Sequence, residues 1–279
     1  MSVPWDKGSH PDMPKLRILD LARIGLRAGA LSVLVFGGLI ILIVLRAIER
    51  PLFGQHRPLT PHITCFVCRN ALRIIGIGFH ISGTPMTRRG AVVANHSSWL
   101  DIFALNAAKR IYFVSKSEVA SWPGIGWLAR ATGTVFIERN PARARLQTGI
   151  FRTRLLAGHK LLFFPEGTST DGMQVLPFKT TLFEAFFAPE LRERIAVQPV
   201  AVIYRAPPGT DARFYGWWGS MAFGTHLLSM LAPARSGSVE IIYCAPLSVA
   251  DFENRKSLAA ACEAAVRAAH TGRLAVAPA

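Results

Sequence analysis

The chain has 279 residues, with 32 Lys and Arg against 17 Asp and Glu, a formal charge of +15, and 51% hydrophobic residues. That length is ample for one large domain, or for a domain with an appendage. A chain that is both basic and apolar fits an anionic membrane surface. Without a zinc-finger, RNP or helix-turn-helix signature, it is not expected to bind nucleic acid.

In chain order, the first 14 residues are polar and Pro-containing and read as a loose tail. Lys15, Arg17, Arg23 and Arg27 lead into residues 28–45, which contain no charge and are bracketed by Arg27 and Arg46. Eighteen helical residues reach about 27 Å, the lower limit for crossing a bilayer. The run lies late for a signal peptide, and no small-residue cleavage site follows it. It therefore reads as a membrane anchor, spanning or partly inserted, with a possible bend at Gly37-Gly38. Basic residues at both ends leave its orientation open. A Pro-rich basic link, 50–61, leads to an amphipathic helix over 60–76. Cys65 and Cys68 form a C-x2-C inside that helical pattern. No second pair at zinc spacing accompanies them, so they read as small residues on a helix and no metal is expected. Unpaired cysteines fit a reducing, cytoplasmic active domain. The division expected is a tail, anchor and linker over 1–60 and one main domain over 61–279.

That main domain alternates short apolar strands (79–81, 91–94, 110–114, 134–137, 160–164, 197–204, 239–243) with helices from Trp99, over 141–157 and over 256–270, the last ending near Gly272. The pattern predicts an α/β fold with a mixed, largely parallel sheet covered by helices.

The candidate chemistry lies where strands end. Asn95-His-Ser-Ser-Trp-Leu-Asp101 joins a strand to a helix, so His96 can face a cleft while Asp101, five residues on, folds back to its imidazole. A carboxylate behind a neutral His fixes the tautomer and stabilises the imidazolium. The Ser98…Asp101 spacing is also a capping-box pattern. Pro165 ends the 160–164 strand, and Glu166-Gly167-Thr168-Ser169 forms the exposed turn after it. There Gly167 permits φ > 0 or close backbone approach, and Glu166 can hold an acceptor hydroxyl or orient neighbouring backbone. Arg139 ends another strand and suits an anionic group. Pro199, inside an apolar strand, points to an edge or a bulge beside a cavity. The aromatic run 214–218 suits either a lipid interface or the core.

Four blocks, N-H-S-S-W-L-D at 95–101, G-T-V-F-I-E-R at 133–139, F-P-E-G-T-S at 164–169 and V-Q-P-V at 197–200, stand in the order found in the glycerolipid acyltransferase family with its His-x4-Asp motif. The chain resembles that family over roughly residues 79–205. The resemblance implies a membrane-associated O-acyltransferase at the cytoplasmic face of the inner membrane. It would carry a fatty acyl group from an acyl thioester, acyl-carrier protein or coenzyme A, to a lysolipid hydroxyl, with no further cofactor. It implies His96 as base and Asp101 as its support. Acceptor binding would fall to Arg139, Glu166, Gly167, Thr168 and Ser169, with Lys116 at the family's basic position and Pro199 shaping the acyl pocket. Backbone donors around Gly167 would meet the oxyanion. Glu138 stands where the family often has Asp. Ser169 stands where lysophosphatidic acid acyltransferases carry Arg, and E-G-T-S-T-D-G running to V-L-P-F is more similar to the lyso-ornithine-lipid branch. A lyso-aminolipid acceptor is therefore expected before lysophosphatidic acid, for which Arg139, Lys116 or Lys179 remain available. The chain lacks G-x-S-x-G and H-E-x-x-H, which argues against a serine lipase and a zinc hydrolase. A lipid-binding protein that keeps the fold without catalysis is the remaining reading.

Overall fold

The computed structural model describes residues 5–11, 16–138 and 144–275. Strands β1 (Gly78–Ser82), β2 (Gly90–Ala94), β3 (Tyr112–Lys116), β4 (Val135–Ile137), β5 (Leu161–Phe163), β6 (Ala196–Arg205), β7 (Ser238–Tyr243) and β8 (Leu247–Ser248) form one sheet. Their order is β1-β7-β6-β2-β5-β3-β4, with β8 paired to β6. β6 runs antiparallel to β7 and β8, and the other pairs are parallel. Parallel neighbours need crossovers. Helices α3 (Leu100–Ala108), α4 (Ile125–Thr132) and α5 (Ala144–Leu156) supply them between β2, β3, β4 and β5.

The sequence of β2, Gly-Ala-Val-Val-Ala, has no polar alternation because both faces of the sheet are covered. Val92 and Ala94 pack into a core with Leu100, Leu105 and Leu231, beneath α2 (Thr60–Ile75), α3 and α7 (Phe223–Leu231). Ala91 and Val93 pack into a second core with Phe151, Phe183, Leu191 and Val266, beneath α5, α6 (Pro189–Arg192) and α8 (Arg255–Leu274). This is the α/β architecture expected from the strand pattern. The expected strands all form, with ends shifted by a residue or two. The short helices α4 and α7 and the two-residue β8 were not foreseen. Eight or nine residues carry too few turns for a periodic signal, and both helices contain a glycine. At Gly126 of α4 a Cβ would lie 2.2 Å from the Ala120 carbonyl oxygen, so close packing explains the residue. The C-terminal helix continues past Gly272 to Leu274.

Pro199 does not lie on an edge strand, because β6 has β2 on one side and β7 and β8 on the other. It faces the break between β7 and β8. Val200 pairs with Tyr243 and Val197 with Leu247, so three residues face two across the gap. The Pro199 carbonyl accepts from Cys244 N, and the proline nitrogen falls where the ladder is already broken. The Gln198 side chain fills the break, accepting from Met86 N and donating to the Thr84 and Cys244 carbonyls.

Helix α1 runs from Ile18 to Phe53, well beyond the uncharged 28–45 run at both ends. It contacts α2, α4 and α7. Only Ile24, Leu42 and Glu49 along it are buried, while Ile18, Leu26, Val33, Ile40, Val44 and Leu52 are exposed. One side is therefore tied to the protein and the other is an apolar strip. The helix is long and apolar enough to cross a membrane. At Gly38 a Cβ would lie 2.5 Å from Val67 Cγ2, so the glycine lets α2 approach. The arginines that bracketed the apolar run are also committed. Arg27 donates to the Leu231 and Pro233 carbonyls at the end of α7, and Arg46 to Gly54 and His56. Arg69 likewise caps the end of α3 at Ala107, and Arg57 the end of α4 at Ala131. Part of the basic excess thus serves helix C-termini, where the dipole favours cations. Cys65 and Cys68 lie on α2, as the helical pattern requires, and are unpaired.

At the turn between α1 and α2, Glu49 is buried and accepts from the Leu59 and Thr60 N–H groups and from Thr60 Oγ1. It caps α2 from another helix, which no local sequence signal announces. Glu49→Ala strands these donors and is expected to cost about 2 kcal/mol. Thermal unfolding of the detergent-solubilised protein should fall by about 4–8 °C. An unchanged melting temperature would show that water satisfies the turn.

Candidate active site

The register of the sheet builds the site. Val93 pairs with Phe163 on one side and Pro199 on the other. Three residues beyond each of the first two stand His96 and Glu166, side by side at the carboxyl edge, where parallel sheets bind ligands. Asn95 secures the departure of β2. Its side-chain oxygen accepts from Val202 N at 2.8 Å and its Nδ2 donates to the Val202 carbonyl at 2.9 Å, so an amide stands in for the ladder.

His96 Nδ1 lies 2.7 Å from Asp101 Oδ2. That same oxygen accepts from Ser97 N at 2.8 Å and Ser98 N at 3.1 Å. The capping contact and the histidine contact therefore coexist on one atom. Asp101 Oδ1 accepts from Tyr204 OH at 2.9 Å. Asp101 is fully buried and the His96 side chain is 21% exposed, so the dyad opens to solvent only on the imidazole side. A carboxylate behind Nδ1 accepts a hydrogen bond from Nδ1–H, which fixes the tautomer and leaves Nε2 as the proton acceptor. The imidazole lies flat on Phe164, centroids 4.0 Å apart and planes 11° apart, which fixes its rotation.

Glu166 is buried, and both carboxylate oxygens face main chain: Oε2 accepts from His96 N at 3.3 Å and Oε1 from Leu176 N at 3.2 Å. Burial pushes its carboxyl well above the usual range, against the pull of those two hydrogen bonds. The structure places it as a brace between the two catalytic-edge loops. Gly167 has φ +72°, as its turn requires, but its own N–H donates to the Phe164 carbonyl at 3.1 Å. The turn closes on itself, so this donor is not directed at a developing oxyanion. Thr168 and Ser169 are partly exposed on the same turn. Beyond them Thr170 N donates to the His96 carbonyl at 3.0 Å. The Gly172 carbonyl lies 3.0 Å from His270 Nε2 of α8. Lys116 is exposed at the end of β3, on the same edge of the sheet. Pro199 lies deeper, at the level of Val93. Arg139 lies outside the described residues.

The aromatic run 214–218 is largely core, with Phe214, Tyr215 and Trp218 buried. It also frames the site, since Trp217 N donates to the Ser97 carbonyl at 2.9 Å. Gly216 approaches so closely that a Cβ would lie 2.8 Å from the Asp171 carbonyl oxygen. Sequence reading missed Tyr204 and the support given by Asn95 and Phe164. Tyr204 is signalled only by being a hydroxyl near the end of a mostly apolar strand.

The acyltransferase family profile matches residues 79–203, from β1 through most of β6. The chain is 56% identical over 257 residues to the lyso-ornithine lipid O-acyltransferase of Rhodobacter capsulatus, covering 92% of this chain and 93% of that one. It is 34% identical over 260 residues to the lyso-ornithine lipid O-acyltransferase of Pseudomonas aeruginosa, covering 93% and 96%. The crystal structure of the 1-acyl-sn-glycerophosphate acyltransferase PlsC from Thermotoga maritima superposes with a TM-score of 0.64 over 94% of this chain and 98% of that one. At 19% identity, that likeness concerns the fold.

Proposed function

The chain belongs to the acyltransferase family, and from that premise we propose that His96 acts as the base that transfers an acyl group from a thioester to the hydroxyl of a lyso-aminolipid of the lyso-ornithine type. Acyl transfer to a lysolipid is the activity its relatives support. The observation that carries the mechanism is the 2.7 Å contact between His96 Nδ1 and a fully buried Asp101, with the imidazole open on its far side.

In this reading Nε2 takes the proton of the acceptor hydroxyl as its oxygen attacks the thioester carbonyl. Asp101 stabilises the imidazolium, and Tyr204 and the Ser97 and Ser98 amides hold Asp101 in place. Collapse of the tetrahedral intermediate expels the thiolate, which receives the proton from His96. A thioester is already activated, so no acyl-enzyme is required. The donor is acyl-carrier protein or coenzyme A, both anionic and suited to the basic chain, and no other cofactor takes part. The exposed apolar strip of α1 would lie in the membrane interface, with the site at the cytoplasmic face of the inner membrane.

The acceptor reading rests on Ser169, together with the similarity to lyso-ornithine lipid O-acyltransferases. A serine offers one neutral hydrogen bond where an arginine would offer a bidentate fork to a phosphate dianion. Lysophosphatidic acid is the second reading, since Lys116 stands on the same edge. The test is a competition between lyso-ornithine lipid and lysophosphatidic acid in one micelle, for wild type and Ser169→Arg. Wild type should favour the aminolipid, and the variant should shift the ratio of kcat/KM values towards the phosphate acceptor by about tenfold. Preference of wild type for lysophosphatidic acid would contradict the reading.

A further inference from the structure

Asp101 receives its hydrogen bonds unevenly. Oδ2 accepts from the Ser97 and Ser98 amides and lies 2.7 Å from His96 Nδ1. Oδ1 has one partner among the described residues, the Tyr204 hydroxyl at 2.9 Å. Both side chains are buried, so bulk water does not compete for that oxygen. The Tyr204 ring is itself held. It lies 5.5 Å from the ring of Tyr215, which is also buried and whose oxygen accepts from Gly237 N at 2.8 Å. Two residues earlier on β6, Val202 bonds in both directions to the Asn95 side chain. One stretch of β6 therefore grips both ends of the loop that carries His96. Burial and the neighbouring carboxylate push the Tyr204 phenol well above its ordinary value, so it stays protonated and donates.

A donor on Oδ1 does two things to the dyad. It fixes the plane of the carboxylate, so that Oδ2 stays on Nδ1. It also stabilises charge at Oδ1 and weakens the pull of Oδ2 on a protonated imidazole. A general base must be neutral when the acceptor hydroxyl arrives. We infer that Tyr204 is a positioning residue for catalysis: by occupying Asp101 Oδ1 it aims the carboxylate at His96 and keeps the imidazole free of a proton until the acceptor hydroxyl is in place. The inference rests on the acyl-transfer reading above and adds a residue that lies behind the base.

The other titratable groups around the dyad come from several elements. Glu166 accepts from His96 N, and Arg267 and His270 of α8 lie behind its turn. Lys116 is exposed on the same edge, and Tyr215 packs on Tyr204. Replacing Tyr204 leaves all of these in place, so a moved titration reports on Oδ1.

The test compares Tyr204→Phe with wild type, as the full chain in mixed micelles. On the pH plateau kcat should fall about tenfold, with KM for the thioester and for lyso-ornithine lipid within about twofold. The acid limb of kcat/KM should rise by at least about half a pH unit, because the carboxylate now leans harder on the imidazolium. A ring-fluorinated tyrosine at position 204 is a stronger donor, and should lower the limb while kcat stays within about threefold. Tyr215→Phe loses a buried bond without touching Asp101, so it should lower the melting temperature and leave the limb in place. A limb that stays put or falls in Tyr204→Phe overturns the inference, and so does an equal rise in Tyr215→Phe. Should Tyr204→Phe not fold, the fluorinated protein decides, and a limb at or above the wild-type position overturns the inference.

A titration free of turnover separates this inference from the acyl-transfer reading. With isotope-labelled histidine, the His96 signal is assigned by its loss in His96→Ala, and its pH midpoint should rise in Tyr204→Phe. Turnover by wild type with an unmoved midpoint defeats the Tyr204 inference alone. A moved midpoint in a protein that never turns over defeats the acyl-transfer reading alone.

Discussion

His96→Ala is expected to lower kcat for acyl transfer by about four orders of magnitude and to leave the melting temperature and membrane association unchanged. The size follows from losing a general base that no neighbour can replace. Four decades correspond to about 5.5 kcal/mol of transition-state stabilisation. The fold should tolerate the change because the ring stacks on Phe164 and meets Asp101, whose other donors persist. Thioester turnover and circular dichroism on the same preparation check both halves. A folded variant with near-wild-type rate would remove His96 from the mechanism.

Asp101→Asn separates two jobs that the structure places on one carboxylate. An asparagine can keep its oxygen towards the Ser97 and Ser98 amides and turn its NH2 towards Tyr204 OH, so the helix start survives. The stability cost should stay near about 1 kcal/mol, the worth of a cap. It cannot supply the negative charge behind His96, and it accepts poorly from an Nδ1–H while its oxygen serves the backbone. The rate should therefore fall about 10³- to 10⁴-fold. The measurement pairs kcat with thermal unfolding. A large loss of stability with little change in rate would assign Asp101 to capping.

Much of this was readable from residues that carry their reason locally. Val92 and Val93 in an unbroken apolar run announced a strand covered on both faces, and the His-x4-Asp spacing placed imidazole and carboxylate together. What escaped was non-local. Glu49 caps a helix that begins 11 residues later, Tyr204 reaches Asp101 across 103 residues, and Trp5 reaches Thr168 across 163. The anchor was recognised as apolar, but its fate depended on partners. Gly38 is explained by Val67, and Arg27 by the carbonyls ending α7, neither of which hydropathy can show. Gly167 illustrates the converse. Its residue type allowed a positive φ or a close backbone approach, and the structure has the first, whereas the commitment of its N–H to Phe164 depends on how the turn closes.

The central claim is direct transfer from thioester to lysolipid with His96 as base. It is tested most directly in a single turnover of labelled acyl thioester with excess wild-type enzyme, quenched with and without lyso-ornithine lipid. The account predicts that label stays on the thioester without acceptor and passes to the lipid hydroxyl with it, with no label on protein at any time, and that in His96→Ala the label stays on the thioester in both cases. Label covalently bound to the protein, or thiol released without acceptor at the rate of turnover, would contradict it.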